Sequence, residues 1–258
     1  MSESRLIAVC GKGGVGKTAF TAMMTKVLTE SASTGDLLLI DADPAKGLTQ
    51  ALDAPVARTM GEVREEIIAT SRMATMEEKQ QLSEMIDYMV LEALTEHPQF
   101  AVLAMGRSES QGCFCPVNTI LRGVIEELSA SFGTILIDGE AGVEQINRQV
   151  MRRVDTLIIV SDATSRGLET AALVKKMVEQ DRVIECDRLG LVLNRVQGNE
   201  ELVEAAAARV GVDVFGFIPQ DENVAYYDLV AKPLSALPSE SPGLRAVREI
   251  VERRVLAA

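Results

Sequence analysis

The chain has 258 residues, with 26 basic and 38 acidic side chains and a net charge of −12. That balance excludes binding along a nucleic-acid backbone as the main task, since this needs a net basic face. The absence of tryptophan, with aromatics at 3%, also excludes a base-stacking platform.

Short β-rich runs alternate with longer helical patterns along the chain. The runs are Leu6–Cys10, Leu37–Asp41, Phe100–Met105, Thr134–Asp138, Thr156–Val160, Leu189–Asn194 and Val214–Ile218. Each is almost continuously apolar, the pattern of strands buried on both faces of a parallel sheet. Helical spacing occupies Lys17–Ser33, Met60–Ile68, Met76–Glu96, Val117–Ser131, Arg166–Gln180, Glu200–Val210 and Leu244–Leu256. The alternation predicts an α/β fold: a mostly parallel sheet of seven or eight strands with helices on both faces. No linker-like cluster of Pro and Gly interrupts it, so residues 1–258 read as one domain. Between Ala54 and Pro98 the chain is longer than one crossover needs. Its methionines Met60, Met73, Met76, Met85 and Met89 read as core filler.

The longest apolar runs are too short to span a bilayer. Met1–Arg5 leads straight into the first run with no signal-peptide core. Four cysteines are too few for a disulfide scaffold, and the expectation is a reduced cytoplasmic setting. The last segment places Leu244, Val247, Ile250, Val251 and Val255 on one helical face. It lacks Phe or Trp anchors, so it is expected to dock on the domain rather than on a membrane.

Gly11-Lys12-Gly13-Gly14-Val15-Gly16-Lys17-Thr18 matches G-x-x-x-x-G-K-[ST] between the first run and the first helix. Glycines there let successive N–H groups converge on an anion, and the helix start adds its positive end. Gly13, Gly14, Val15, Gly16, Lys17, Thr18 and Ala19 are the expected phosphate-binding residues, with Lys17 on the β- and γ-phosphates and Thr18 on Mg²⁺. Asp138 closes an apolar strand followed by Gly139-Glu140-Ala141-Gly142, the position that holds Mg²⁺ in such sites, with Gly142 as a hinge. Asp41-Ala42-Asp43-Pro44 ends the second run, and both carboxylates leave a strand end that lines the ligand crevice.

The early lysine, Lys12, gives K-G-G-x-G-K-[ST], which resembles the deviant Walker A motif of the MinD, ParA and nitrogenase-iron-protein class. The resemblance implies an ATP-hydrolysing homodimer yielding ADP, in which Lys12 reaches the partner's nucleotide. It implies that Asp43 positions the attacking water and that Asp41 lies near the hydrated metal. It also implies that Asn194, Arg195, Pro219 and Asp221 line the adenine. By residue type alone, Asn194 after a strand reads as a turn former, and a turn aspartate before Pro44 is the alternative to the functional reading of Asp43.

Cys113-Phe114-Cys115 follows the third run. Two thiolates are half of a tetrahedral site, and a two-fold dimer would complete an S₄ site for Zn²⁺, Ni²⁺ or an iron–sulfur cluster. Cys10 reads as an inert core residue, Cys186 has no partner in sequence, and the lone His97 reads as structural at a helix end. Together, the deviant Walker A, D-A-D-P, G-C-x-C with Asn118 and D-x-E-A-G with Arg148 are similar to the CooC group. These are nickel-insertion accessory ATPases of carbon monoxide dehydrogenase and acetyl-CoA synthase. Gln145, where many such chains have His, departs from the pattern. The resemblance implies an ATP-driven metallochaperone with a nickel enzyme as client, while the net charge and the unanchored last helix lead to the expectation of no nucleic-acid or membrane partner. Two other readings come from the wider class, a MinD/ParA-like positioning ATPase and an iron-protein-like electron donor.

Overall fold

The computed structural model describes residues 4–73, 76–107, 115–139, 143–198 and 200–257. The strands are β1 (Arg5–Cys10), β2 (Leu37–Asp41), β3 (Leu94–His97), β4 (Phe100–Ala104), β5 (Thr134–Asp138), β6 (Arg153–Ser161), β7 (Glu185–Val196) and β8 (Asp213–Pro219). They form one eight-stranded sheet in the order β3-β4-β2-β5-β1-β6-β7-β8. All pairings are parallel except β3 with β4. The expected α/β architecture is therefore present, and all seven expected strands are in it.

Two faces of the same strands explain the continuous apolar runs. Ile7 and Val9 of β1 point to one layer and Ala8 and Cys10 to the other, and β2 divides Leu37 and Leu39 from Leu38 and Ile40 in the same way. Period-two alternation with both faces covered requires apolar residues at every position. One layer contains α1 (Lys17–Thr29), α2 (Gly47–Ala51) and α10 (Pro242–Ile250), which continues as a π-helical turn over Val251–Leu256. The other contains α3 (Met60–Met73), α4 (Met76–Ala93), α5 (Cys115–Ser129), α7 (Ser165–Glu179) and α8 (Glu200–Ala208). Short α6 (Val143–Gln145) and α9 (Glu222–Leu229) join outer segments.

The last segment docks as expected: Leu244, Val247, Ile250, Val251 and Val255 are all buried against the sheet layer that holds α1. Met60 and Met89 fill the core, whereas Met85 is exposed. The helical pattern read over Met76–Glu96 stops at Ala93, and Leu94–His97 is an edge strand. His97 thus sits in β3, paired with Phe100, rather than at a helix end. Its ring centroid is 5.3 Å from that of Phe100.

Candidate nucleotide site

β1, β2 and β5 are adjacent, and their C-terminal ends meet where the phosphate loop begins. The order in which strands are added reverses here, since β2, β4 and β5 lie on one side of β1 and β6 to β8 on the other. Such a switch point leaves a crevice at the strand ends. Gly11 leaves β1 with φ 135°, and a Cβ there would sit 2.0 Å from the Val160 carbonyl oxygen. Only glycine lets the loop start this close to β6. Gly16 is left-handed at φ 90° and precedes α1 directly. No side chain caps α1 and no acidic residue lies in its first turn, so its N-terminal donors are left for an anion. The Lys17 ammonium folds back over the loop and donates to the Lys12 carbonyl at 3.2 Å.

Two buried carboxylates lie under the loop. Asp41 and Asp138 are register partners on neighbouring strands. Asp138 accepts from the Thr18 hydroxyl at 2.9 Å and from the Thr21 hydroxyl at 3.0 Å. Thr21, one turn after Thr18 on the same helix face, is a contact the motif reading missed; its spacing of three was the available signal. Asp41 accepts from the backbone N–H groups of Leu48 and Thr49, both at 3.1 Å, and of Asp43 at 3.2 Å. These bonds pin the first turn of α2, which the sequence reading did not expect, against the site. Asp43 Oδ1 accepts from the Ala45 N–H at 2.8 Å, a local turn that fixes the carboxylate at the crevice edge.

Burial pushes the Asp138 carboxyl up to about 7, with the nearby Asp41 charge adding to it and the two threonine hydroxyls opposing. Burial likewise raises Asp41 to about 6, and Asp43 adds while the three N–H groups oppose. A hydroxyl and two carboxylates are hard oxygen donors of the kind that suits Mg²⁺. Two carboxylates held together in a poorly solvated site, with the Lys17 charge offsetting them in part, favour a further cation, so these residues fit the ion. Both folded-state values lie above the ordinary carboxylate range. The folded chain therefore keeps protons that the unfolded chain releases, and stability falls as pH rises toward about 7. We expect the melting temperature in EDTA to fall between about pH 5 and about pH 8, and added Mg²⁺ to restore it mainly at the higher pH. A flat EDTA profile contradicts this.

The residues expected along the base make defined contacts within the fold. The Asn194 amide donates to the Val15 carbonyl at 2.8 Å, and its oxygen accepts from the Arg195 N–H at 2.9 Å. Arg195 donates to the Gly14 carbonyl at 3.2 Å. The end of β7 thus braces the phosphate loop. Pro219 is exposed at the end of β8. Asp221 was expected to face the base, but its carboxylate turns into the fold, where it caps α9 through the Asn223 N–H at 2.8 Å. Its other oxygen accepts from the Ser241 hydroxyl and, at 2.8 Å, from the Gly243 N–H. Those bonds hold its carboxyl below the usual range even though burial opposes them. Asp221→Ala should lower stability by about 1–3 kcal/mol and leave ATP affinity unchanged, read by thermal melting and calorimetry.

Cys115 opens α5, and Cys113, Glu140 and Gly142 lie outside the described residues. Among the described residues no group of three or more His, Cys, Asp or Glu is arranged to hold a metal ion. Cys10 is fully buried, and burial pushes its thiol up to about 12, as an inert core cysteine requires. Cys186 is half-buried and its thiol is raised, mainly by burial.

A glycine-rich loop between a central strand and a helix, with buried carboxylates beneath it, defines a P-loop ATPase. The chain belongs to the family whose model is described as the CobQ/CobB/MinD/ParA nucleotide binding domain, which matches residues 6–234. An uncharacterized ATP-binding protein of Methanocaldococcus jannaschii is 37% identical, covering 96% of this chain and 97% of that protein. The carbon monoxide dehydrogenase accessory protein CooC of Rhodospirillum rubrum is 31% identical over 181 residues, covering 66% of this chain and 67% of CooC. Among solved structures, the septum site-determining protein MinD of Pyrococcus horikoshii, complexed with Mg-ADP, superposes with a TM-score of 0.68. That likeness has 22% identity and covers 99% of this chain and 98% of MinD. No helix among the described residues is long and apolar enough to cross a membrane.

Proposed function

We propose that this ATPase is a cytoplasmic metallochaperone of the CooC type, which loads nickel into a client enzyme as a nucleotide-dependent homodimer. The observation behind this reading is the thiol pair. Cys115 starts α5, the element that follows β4, and β4 runs parallel to β1, so α5 leaves from the strand-end edge of the sheet that also carries the phosphate loop. A second copy docked on that edge brings four thiolates together around Ni²⁺ or Zn²⁺. The likeness to CooC supports the same reading.

In the working site, Lys17 and the first-turn N–H groups of α1 hold the ATP phosphates. Thr18 and Asp138 would hold Mg²⁺, with Asp41 beside them, and the ion when bound neutralises charge on the β- and γ-phosphates. Asp43, at the crevice edge, orients the attacking water. Lys12 is supplied to the partner's nucleotide, where its ammonium offsets charge developing on the transferring phosphoryl group. Asp41 ties α2 to this centre, so loss of the γ-phosphate is felt by the segment after β2 and passed to the dimer face.

Cys113→Ser should abolish stoichiometric binding of Ni²⁺ or Zn²⁺ while ATP hydrolysis without metal continues. Unchanged metal content contradicts the reading.

The fold likeness to MinD favours a second reading, a positioning ATPase. The buried apolar face of α10 argues against membrane attachment through that helix. ATP-dependent pelleting with anionic liposomes would support positioning. An anaerobic preparation with brown charge-transfer absorbance would instead support an iron-protein-like electron donor.

A further inference from the structure

A second cleft opens at the opposite end of the sheet, where the parallel strands begin. It encloses about 760 Å³ and is walled by the starts of β1 and β6, the early part of β7 and the C-terminal turn of α5. That volume is in the range of small-molecule sites. Arg5, Arg152, Arg153 and Arg188 all line it.

The carboxylates in the cleft are already engaged. Asp187 pairs with Arg153 at 2.8 Å, Asp155 accepts from the Leu6 N–H at 2.8 Å, and Glu126 accepts from the Arg152 N–H at 3.3 Å. Donors, in contrast, are left over. Among the described residues the guanidinium groups of Arg5, Arg152 and Arg188 make no ion pair or hydrogen bond. Two polar atoms in the lining are buried without a partner, Arg188 Nη1 and the hydroxyl of Ser129, a residue only 2% exposed. Buried polar groups are ordinarily satisfied, so two orphaned donors among the residues of one cleft leave hydrogen-bonding capacity there for an acceptor.

Arg188 is also held in place. Its guanidinium carbon lies 5.4 Å from the centre of the Phe215 ring. Phe215 in turn lies flat on Gly190, where a Cβ would meet the ring at 2.3 Å. Stacking orders a guanidinium without using its in-plane N–H donors.

We propose that this cleft binds a small organic anion through a phosphate or carboxylate group, with Arg188 and Arg5 as the charged contacts and the Ser129 hydroxyl as a third donor. Leu6, Met151 and Val255 supply the apolar wall for the ligand's body. The site is separate from the nucleotide site, because β1 runs from Arg5 at the cleft to Cys10 at the phosphate loop.

The test uses the whole chain saturated with ADP and Mg²⁺, so that the phosphate loop is occupied. Inorganic phosphate and succinate are titrated calorimetrically at matched ionic strength. Saturable one-to-one binding of phosphate, succinate or both is expected, and which one binds identifies the anionic group. Arg188→Gln and Arg5→Gln should each weaken it roughly tenfold or more, and ADP affinity should be unchanged. Binding of neither anion, or wild-type binding by the variants, overturns the proposal. If Arg188→Gln does not fold, Arg5→Gln decides.

Discussion

Lys17→Ala is expected to remove ATP hydrolysis while leaving the fold intact. Among the described residues the ammonium donates one hydrogen bond, to the Lys12 carbonyl at 3.2 Å, and makes no ion pair. Its charge favours the ionised form of the buried Asp138, whose two threonine hydroxyls stay in place when the ammonium is lost. What is lost is the cation aimed at the bridging and terminal phosphates, where negative charge accumulates as the phosphoryl group leaves. Removing one preorganised electrostatic contact of this kind costs roughly 10²–10³ in rate, and a charged one at the transferring group lies at the upper end. Phosphate release should fall to background with the melting temperature held. A rate within about twofold of the parent, given that expected loss, contradicts the assignment of the loop.

Lys12→Ala is expected to have an effect of similar or larger size, by a different route. The Lys12 side chain makes no hydrogen bond or ion pair among the described residues, and its own loop is held by backbone groups, Asn194 and Arg195. Binding of ATP should persist. A cation supplied by a second subunit to the transition state is worth roughly 10³–10⁵ in rate, so turnover should collapse. Mixing makes the prediction sharper. A dimer of one Lys12→Ala and one Lys17→Ala subunit has one site with an intact Lys17 that receives the other subunit's Lys12. Two inactive variants should therefore regain activity when combined. Failure to complement, with both variants folded, would show that Lys12 does not act across an interface.

The nucleotide site was largely legible in the chain because its parts are local. The loop, Lys17, Thr18, Asp41 and Asp138 each sit at a strand end or helix start that the hydrophobic pattern already marks. The contacts that tie these parts together were not legible. Thr21 reaches Asp138 across 117 positions, Asn194 reaches Val15 across 179, and the Asp221 carboxylate is taken by Ser241 twenty residues on. A terminal Asn or Asp reads the same whether it meets a ligand, a turn or a distant backbone group. The second cleft left no trace in sequence either, since its arginines are scattered from Arg5 to Arg188 and resemble ordinary solvated charges.

The order of apolar runs and helical spacings by itself determined an α/β sheet with both faces covered and a phosphate loop at its first turn, because burial on both faces dictates composition residue by residue. Only the tertiary structure decided that Leu94–His97 is a strand and that Gly47–Ala51 is a helix. The first exists through its pairing with β4, and the second is capped by the carboxylate of Asp41 from a neighbouring element. Segments that short have no intrinsic preference strong enough to outweigh their ordering entropy, and their conformation follows from the partner they meet.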